Sequence, residues 1–387
     1  MRKLWMVIII LLIISILVGI YAFTTPKITS LPTYFTYKGE QAALNNLHSS
    51  QKMTAHTTKK WDGIMFDLVK SHKLGDATAS RIYAYLYTAQ RDAAFLSHNN
   101  KHRFMGSLDP ISAEVLCLFF PKNCPHIKFQ VKTDPYSNEL AKIVLKKIKL
   151  HMILDTKQQK LSAEKPGGDH WAGSKPYFGQ EVGSWKPWII DSPQQFLAPK
   201  PNAQLWQDEL RQTEQALQNI TPNQTKAVVF WAGNPSTITP PGIWLTFANE
   251  YIEEEHVSFS KALFVRSVLA MGIADSVIAV FYSKYTYWIK RPFMLNPNIY
   301  TVMPTPNHPS YPAGHSTISA TAAVILSYFF PKNTQNWWEK ADEASSSRVW
   351  GGIHFPVDAK EGLILGRKVG NTVIQAQPPF ALELDKK

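Results

Sequence analysis

Cysteine is nearly absent from this chain of 387 residues: there are two, Cys117 and Cys124. That scarcity excludes a fold stapled by several bridges and a cysteine-rich metal site. The pair is compatible with a short-loop disulfide beside Pro121 and Pro125 in an oxidising compartment, or with two buried thiols. Strand-type alternation is weak throughout, so a sheet-based architecture is excluded and the fold is expected to be mainly α. Acidic residues are in deficit, 29 against 41 Lys and Arg, a formal net charge of +12. Such an excess suits an anionic substrate, an anionic membrane surface or nucleic acid, and equally a merely soluble basic protein. Long charge-free apolar runs are lacking except for one, residues 4–23, preceded by Arg2 and Lys3. Twenty helical residues span roughly 30 Å, the thickness of a bilayer core. Ile20 and Ala22 make a poor cleavage site, so residues 1–25 are expected to be an uncleaved signal anchor rather than a cleaved signal peptide. Arg2 and Lys3 would stay in the cytoplasm and the rest would be exported, anchored at the membrane by this segment.

What is there is a globular composition, 45% hydrophobic and 12% aromatic. Residues 26–164 read as an N-terminal helical region, with apolar residues at helical spacing over 61–73 and 77–97 and further helices over 109–120 and about 138–154. Residues 165–250 change in texture. Gly167, Gly168, Gly173, Pro176 and Pro187 break any long helix, while Trp171, Trp185 and Trp188 argue for an ordered, irregular covering packed on the core. Short helices are expected over 203–218 and 244–253. Residues 251–378 read as a helical bundle: a long helix from 258 to about 289 with an inward stripe of Leu263, Val268, Met271 and Ile278, then helices over 314–330 and 355–375, and a tail at 379–387. Phe119–Asn123 recurs letter for letter as Phe329–Asn333, either the trace of a duplicated bundle or a repeated helix stop.

Three segments of the last bundle carry chemistry. Lys284 and Arg291 lie seven residues apart, two helical turns, so both can project from one helix face, and Pro292 stops that helix. Pro309-Ser310-Tyr311-Pro312-Ala313-Gly314-His315 is a turn leading into a helix start, where unpaired amides and a side-chain-free glycine suit an anion. Ser347-Arg348 is followed by His354, and Pro356 at the first helical position puts Asp358 in the first turn, within reach of a ring nitrogen of His354. A carboxylate so placed fixes the tautomer and strengthens the other nitrogen as nucleophile or ligand.

In order, Lys-x6-Arg-Pro, Pro-x-Gly-His and Ser-Arg-x5-His-x3-Asp resemble the signature of the PAP2 (type 2 phosphatidic acid phosphatase) and vanadium-dependent haloperoxidase superfamily. Outside the motifs, Phe230-Trp231-Ala232-Gly233, Pro241-Gly242-Ile243-Trp244 and the glycine- and proline-rich stretch resemble bacterial vanadium haloperoxidase-like proteins. The resemblance implies an all-helical bundle, possibly two stacked bundles, and an oxyanion-binding enzyme. Lys284, Arg291, Arg348 and the Gly314 amide would hold the anion, with His354, His315 and Asp358 catalytic. In a haloperoxidase His354 would ligate vanadium in bound vanadate, His315 would assist peroxide, and halide would be oxidised. In a metal-independent acid phosphatase no cofactor is needed: His354 would form a phosphohistidine on a phosphomonoester or lipid phosphate. A third reading is a non-catalytic anion-binding protein.

Two departures bear on that choice. Ala313 stands where a small hydroxyl residue usually precedes Gly-His, which removes one hydrogen bond to the anion. His308, seven residues before His315, is similar to the bromoperoxidase type, where it lines the pocket; otherwise it is a loop histidine. His102, His126, His151 and His170 lack a partner pattern, and the lysine-rich stretch 142–149 reads as a solvated helix face, so no nucleic-acid partner is expected.

Overall fold

The computed structural model describes residues 32–98, 103–155, 165–202, 206–234 and 236–378. The expected anchor at 1–25 and tail at 379–387 lie outside the described residues, as do His102 and the first turn of the helix expected from 203. The helices are α1 (Ala55–Ser71), α2 (Asp76–Ser97), α3 (Asp109–Phe119), α4 (Cys124–Phe129), α5 (Pro135–Asp155), α6 (Trp206–Gln218), α7 (Pro222–Trp231), α8 (Thr239–Glu254), α9 (Phe259–Tyr287), α10 (Pro292–Leu295), α11 (Gly314–Phe329), α12 (Thr334–Trp350) and α13 (Pro356–Gln375). Among the described residues the only pairing of extended backbone is two isolated bridges, Lys52 with Met105 and His98 with Phe104. The described residues from Thr33 onward cluster as one compact unit, so the three stretches distinguished in the sequence share a core.

Helix α9 is the centre. Its residues from Ala262 to Phe281 are buried on every side, where the sequence pattern predicts one inward stripe. The reason is the covering segment, which occupies the face that would otherwise meet solvent. Asp275 on α9 accepts the amides of Trp188 (2.7 Å), Ile189 (2.7 Å) and Ile190 (3.0 Å). Tyr285 and Tyr287 donate their hydroxyls to the carbonyls of Phe178 and Ala198. Trp171 and Trp188 are buried, so the glycines and prolines of 165–202 bend an ordered strap. Helix α9 is also the one described helix long and apolar enough to cross a membrane, and its most apolar stretch is buried in the protein.

The repeated pentapeptide marks repeated geometry. Phe120 and Phe330 both cap their helices with nearly equal dihedrals (φ −125, ψ 62 and φ −133, ψ 64). Each donates its amide to a leucine carbonyl four residues back, Leu116 and Leu326, at 2.8 Å. A proline-led turn and a further helix follow in both copies. The likeness extends beyond the pentapeptide. The fully buried indole of Trp61 on α1 donates to Asp109 at the start of α3 (2.7 Å), and that of Trp244 on α8 donates to Ser319 on α11 (2.9 Å). Asp109 and Ser319 stand ten residues before Phe119 and Phe329, so the same contact recurs in register. Two related bundles account for this better than a shared helix stop.

Cys117 and Cys124 form a disulfide across the first of these turns. Several helical elements differ from the sequence reading: neither α4 nor α10 is expected from it, and α1 begins at Ala55 rather than 61. Helix α7 was hidden by its polar start, although Thr221, Pro222 and Gln224 spell a capping box that the structure forms. Helix α12 reads as polar because it carries Glu339, Asp342 and Glu343 outward, while its buried side is mostly small, Ala341, Ala344 and Ser345, beside Trp337 and Arg348. Helix α8 begins at Thr239 rather than 244, its first turn being Pro240 and Pro241.

Candidate active site

Four segments converge where α9 ends and α11, α12 and α13 meet. Helix α9 stops at Tyr287, with Trp288 left-handed, and Arg291 stands on extended backbone (φ −92, ψ 161). The expectation that Lys284 and Arg291 share one helix face is therefore corrected. The turn at Trp288 bends the chain, and Arg291 reaches the site from beyond the helix because Pro292 disfavours helical backbone before it.

Lys284 is fully buried and donates to the carbonyls of Pro309 (3.0 Å) and Ser310 (2.7 Å). Arg291, also fully buried, donates from Nε to the His308 carbonyl (3.0 Å) and from one terminal nitrogen to the Ile353 carbonyl (2.8 Å). That same nitrogen lies 3.3 Å from Nε2 of His354, and the other lies 3.2 Å from Nδ1 of His308. Arg348, near the end of α12, is fully buried and donates to Ser347 Oγ (3.0 Å) and the Val228 carbonyl (3.1 Å).

His354 precedes α13, and Asp358 in its first turn accepts from Nδ1 at 2.9 Å. A guanidinium can only donate, so Arg291 against Nε2 and Asp358 against Nδ1 require one tautomer: proton on Nδ1, lone pair on Nε2. Burial, then Arg291 and Lys284, hold the His354 pKa well below the ordinary imidazole range. Its ring is therefore a neutral base aimed at the cations. Asp358 is held by a helix that approaches closely. Gly362 and Gly366 on α13 lie against α11, where an added Cβ would stand 2.6 Å from the Ala313 carbonyl and 2.3 Å from that of Thr317. The Asp358 carbonyl accepts the Ala313 amide at 2.9 Å, which fixes the Gly-His turn beside the His-Asp pair.

Gly314 is the first residue of α11, so its amide has no carbonyl of that helix to bond. An added Cβ would meet nothing within 4 Å. The glycine is thus not there to relieve packing; it borders open space that a ligand can enter. His315, half-buried, puts Nε2 2.8 Å from the Trp231 carbonyl, leaving Nδ1 without a proton. Burial, then Arg348, holds its pKa well below the ordinary range. His308 is buried against the rings of Phe178 and Phe281, whose centroids lie 5.9 and 5.3 Å away. All the residues singled out in the three motifs, and His308, thus come together, while His151 stacks on Trp188 elsewhere (4.1 Å).

The electrostatics are those of an anion receptor. Burial pushes Arg348 down to about 9, with Arg291 as the next cause, and Arg291 down to about 10. Lys284 is lowered well below its usual value by burial and by Arg291. Asp358, raised by burial to about 6, faces them, and Asp76 also acts on Lys284. Three buried basic side chains thus outnumber the carboxylates near them, an excess that suits a tetrahedral oxyanion. Sequence reasoning missed the carbonyls of Val228 and Trp231, since α7 itself was missed, and Ser310, which sits inside the second motif without being part of its pattern.

The PAP2 superfamily model matches residues 263–380. An undecaprenyl-diphosphatase of Sulfolobus acidocaldarius is 32% identical over 123 residues, 31% of this chain and 58% of that protein. The bacitracin transport permease protein BcrC of Bacillus licheniformis is 23% identical over 107 residues, 28% of this chain and 52% of that protein. The chain thus spans little more than half the length of these curated relatives. Among solved structures, a bacterial vanadium-dependent iodoperoxidase aligns with a TM-score of 0.69 at 19% identity, over 86% of this chain and 99% of that one. A holo-type bacterial vanadium-dependent chloroperoxidase aligns with a TM-score of 0.62 at 12% identity, over 78% and 92%. These likenesses establish the all-α fold.

Proposed function

We propose, from the premise that residues 263–380 match the PAP2 superfamily model, that this chain is an oxyanion-dependent enzyme, a peroxidase of halides that works with bound vanadate. The observation that carries the reading is the neutral His354, its Nε2 lone pair 3.3 Å from Arg291 and within the field of Lys284 while Asp358 takes Nδ1–H. Mere anion binding needs the cations but not a base locked in one tautomer. The fit to vanadate rests on the same donor set and on the open space beside Gly314.

When bound, vanadate would supply the Lewis acidity that activates hydrogen peroxide. His354 Nε2 would hold it on one side. The three cations and the Gly314 amide would neutralise its oxygens. Asp358 would keep His354 oriented. His315 Nδ1, which keeps its lone pair because Nε2–H is tied to Trp231, would accept a proton from peroxide. His308 on Arg291, walled by Phe178 and Phe281, favours this branch, because it makes the neighbourhood of the anion more enclosed than cations alone would.

A second reading, a metal-independent phosphatase, is favoured by the 32% identity to the diphosphatase over 123 residues. His354 Nε2 would attack phosphorus and the bond to the leaving oxygen would break. A bound phosphate dianion would offset the cations that lower the His315 pKa, so that Nδ1 could carry a proton; that proton would go to the leaving oxygen, and the emptied Nδ1 would then deprotonate the water that frees phosphate from His354. The Cys117–Cys124 disulfide supports export to an oxidising compartment behind the N-terminal apolar run.

One preparation assayed with and without orthovanadate separates the branches. Bromide or iodide oxidation by hydrogen peroxide is expected only after vanadate is added. Release of nitrophenol from p-nitrophenyl phosphate that vanadate blocks, with no halide oxidation, assigns the phosphatase branch instead. A folded protein inactive in both assays overturns the proposal.

A further inference from the structure

Ser310 lies in the turn that leads to Gly314-His315 and is fully buried. Each of its polar groups reaches a different part of the site. Its amide donates to the Ile289 carbonyl, just past the end of α9, at 2.9 Å. Its carbonyl accepts from Lys284 Nζ at 2.7 Å. Its hydroxyl donates to Oδ2 of Asp358 at 2.5 Å and lies 3.2 Å from Nδ1 of His354.

The carboxylate it touches is loaded unevenly. Oδ2 of Asp358 also receives His354 Nδ1 (2.9 Å) and the Phe355 amide (3.1 Å). Oδ1 is buried without a partner among the described residues. A carboxylate with all its donors on one oxygen is free to rotate about its last bond unless those donors point from different directions. The Phe355 amide comes from the same helix turn as Asp358, and His354 is the very group to be positioned. Ser310 is the donor that comes from outside that turn, and it is itself fixed at its amide and carbonyl by α9.

We propose that Ser310 is a positioning residue: its hydroxyl locks the Asp358 carboxylate so that His354 presents Nε2 as a free base, and its backbone couples that lock to the placement of Lys284. This rests on the catalytic reading of His354 given above. The hydroxyl touches neither the anion space beside Gly314 nor the cations, so its loss should leave anion capture intact and impair the use of His354.

The test compares the full chain with Ser310→Ala, which is smaller and leaves the backbone contacts, and Ser310→Thr, which keeps the hydroxyl. Turnover is measured by bromide oxidation after loading with orthovanadate and by p-nitrophenyl phosphate hydrolysis without it. In whichever assay the wild type is active, Ser310→Ala should lower kcat by about 10- to 100-fold with KM nearly unchanged, and Ser310→Thr should recover most of the loss. Imidazole 15N NMR gives a readout that does not need activity. The wild type should display His354 with a protected proton on Nδ1, and Ser310→Ala should display it exchanging or redistributed between the two nitrogens. A Ser310→Ala protein with wild-type kcat and an unchanged His354 signal overturns the proposal, as does a loss that falls on KM alone. If the wild type turns over neither substrate, the catalytic reading fails by itself, and the NMR comparison still decides whether Ser310 fixes the ring.

Discussion

Replacing His354 with alanine is expected to abolish turnover, by roughly ten-thousand-fold or more, whichever of the two chemistries the protein performs. In one branch the imidazole is the group that holds the active oxyanion centre, in the other the atom that bonds to phosphorus, and the structure offers no second base in its position. His315 cannot substitute, because its Nε2 is engaged with the Trp231 carbonyl on a different wall of the site. The substitution also strands Asp358, whose Oδ2 loses one of its donors in a fully buried setting. A drop in thermal stability is expected alongside, on the order of 1–3 kcal/mol. Activity is therefore compared on protein verified as folded by circular dichroism. A folded His354→Ala protein that keeps more than about a tenth of wild-type turnover would place the chemistry elsewhere.

The second large effect is expected from Arg291→Met, and it falls on binding. Arg291 ties the extended segment after α9 to the His308 and Ile353 carbonyls and also supplies charge beside His354. Losing charge-assisted bonds of this kind weakens anion binding by about 1.5–3 kcal/mol, roughly ten- to a hundredfold in Kd. A subtler consequence has a definite sign. Arg291 is among the charges that hold His354, Arg348 and Lys284 below their usual pKa values. Removing a like charge relieves that repulsion, so the His354 pKa rises toward its ordinary range. The folded variant then holds a larger protonated, non-nucleophilic fraction as pH falls. Loss of activity in Arg291→Met should accordingly be greater at mildly acid pH than at pH 8. Phosphate titration at two pH values, with turnover measured at each, checks both parts. Unchanged phosphate affinity would remove Arg291 from the anion site.

The site was legible in the sequence because its chemistry needs particular residue types in particular order. A lysine, two arginines, a Gly-His turn and a His-x3-Asp helix start have few structural reasons to occur together. The all-helical fold was legible in the same way from apolar spacing. What escaped was set by tertiary packing. The pattern of α9 predicts one buried stripe, yet the strap of 165–202 covers its remaining face, and Asp275 gathers three strap amides from that face. Helix α12 carries too few large apolar residues for its period to stand out, because it packs through Ala341 and Ala344. Helix α7 was missed, and with it the carbonyls that orient Arg348 and His315, since backbone atoms leave no trace in residue identity. Ser310 escaped for a related reason: its importance comes from contacts with Ile289, Lys284, His354 and Asp358, all distant in sequence, none of which a local pattern encodes. The Lys284–Arg291 spacing, in turn, fits two helical turns, but Pro292 had already announced that the second turn would not form.

The most direct measurement is an equilibrium titration of the purified full chain with orthovanadate, repeated in the presence of inorganic phosphate. One oxyanion per chain is expected, with phosphate displacing vanadate competitively, because a single cluster of Lys284, Arg291 and Arg348 serves both. A folded protein that takes up neither anion, or that binds the two independently, would contradict the reading of that cluster as the reaction centre.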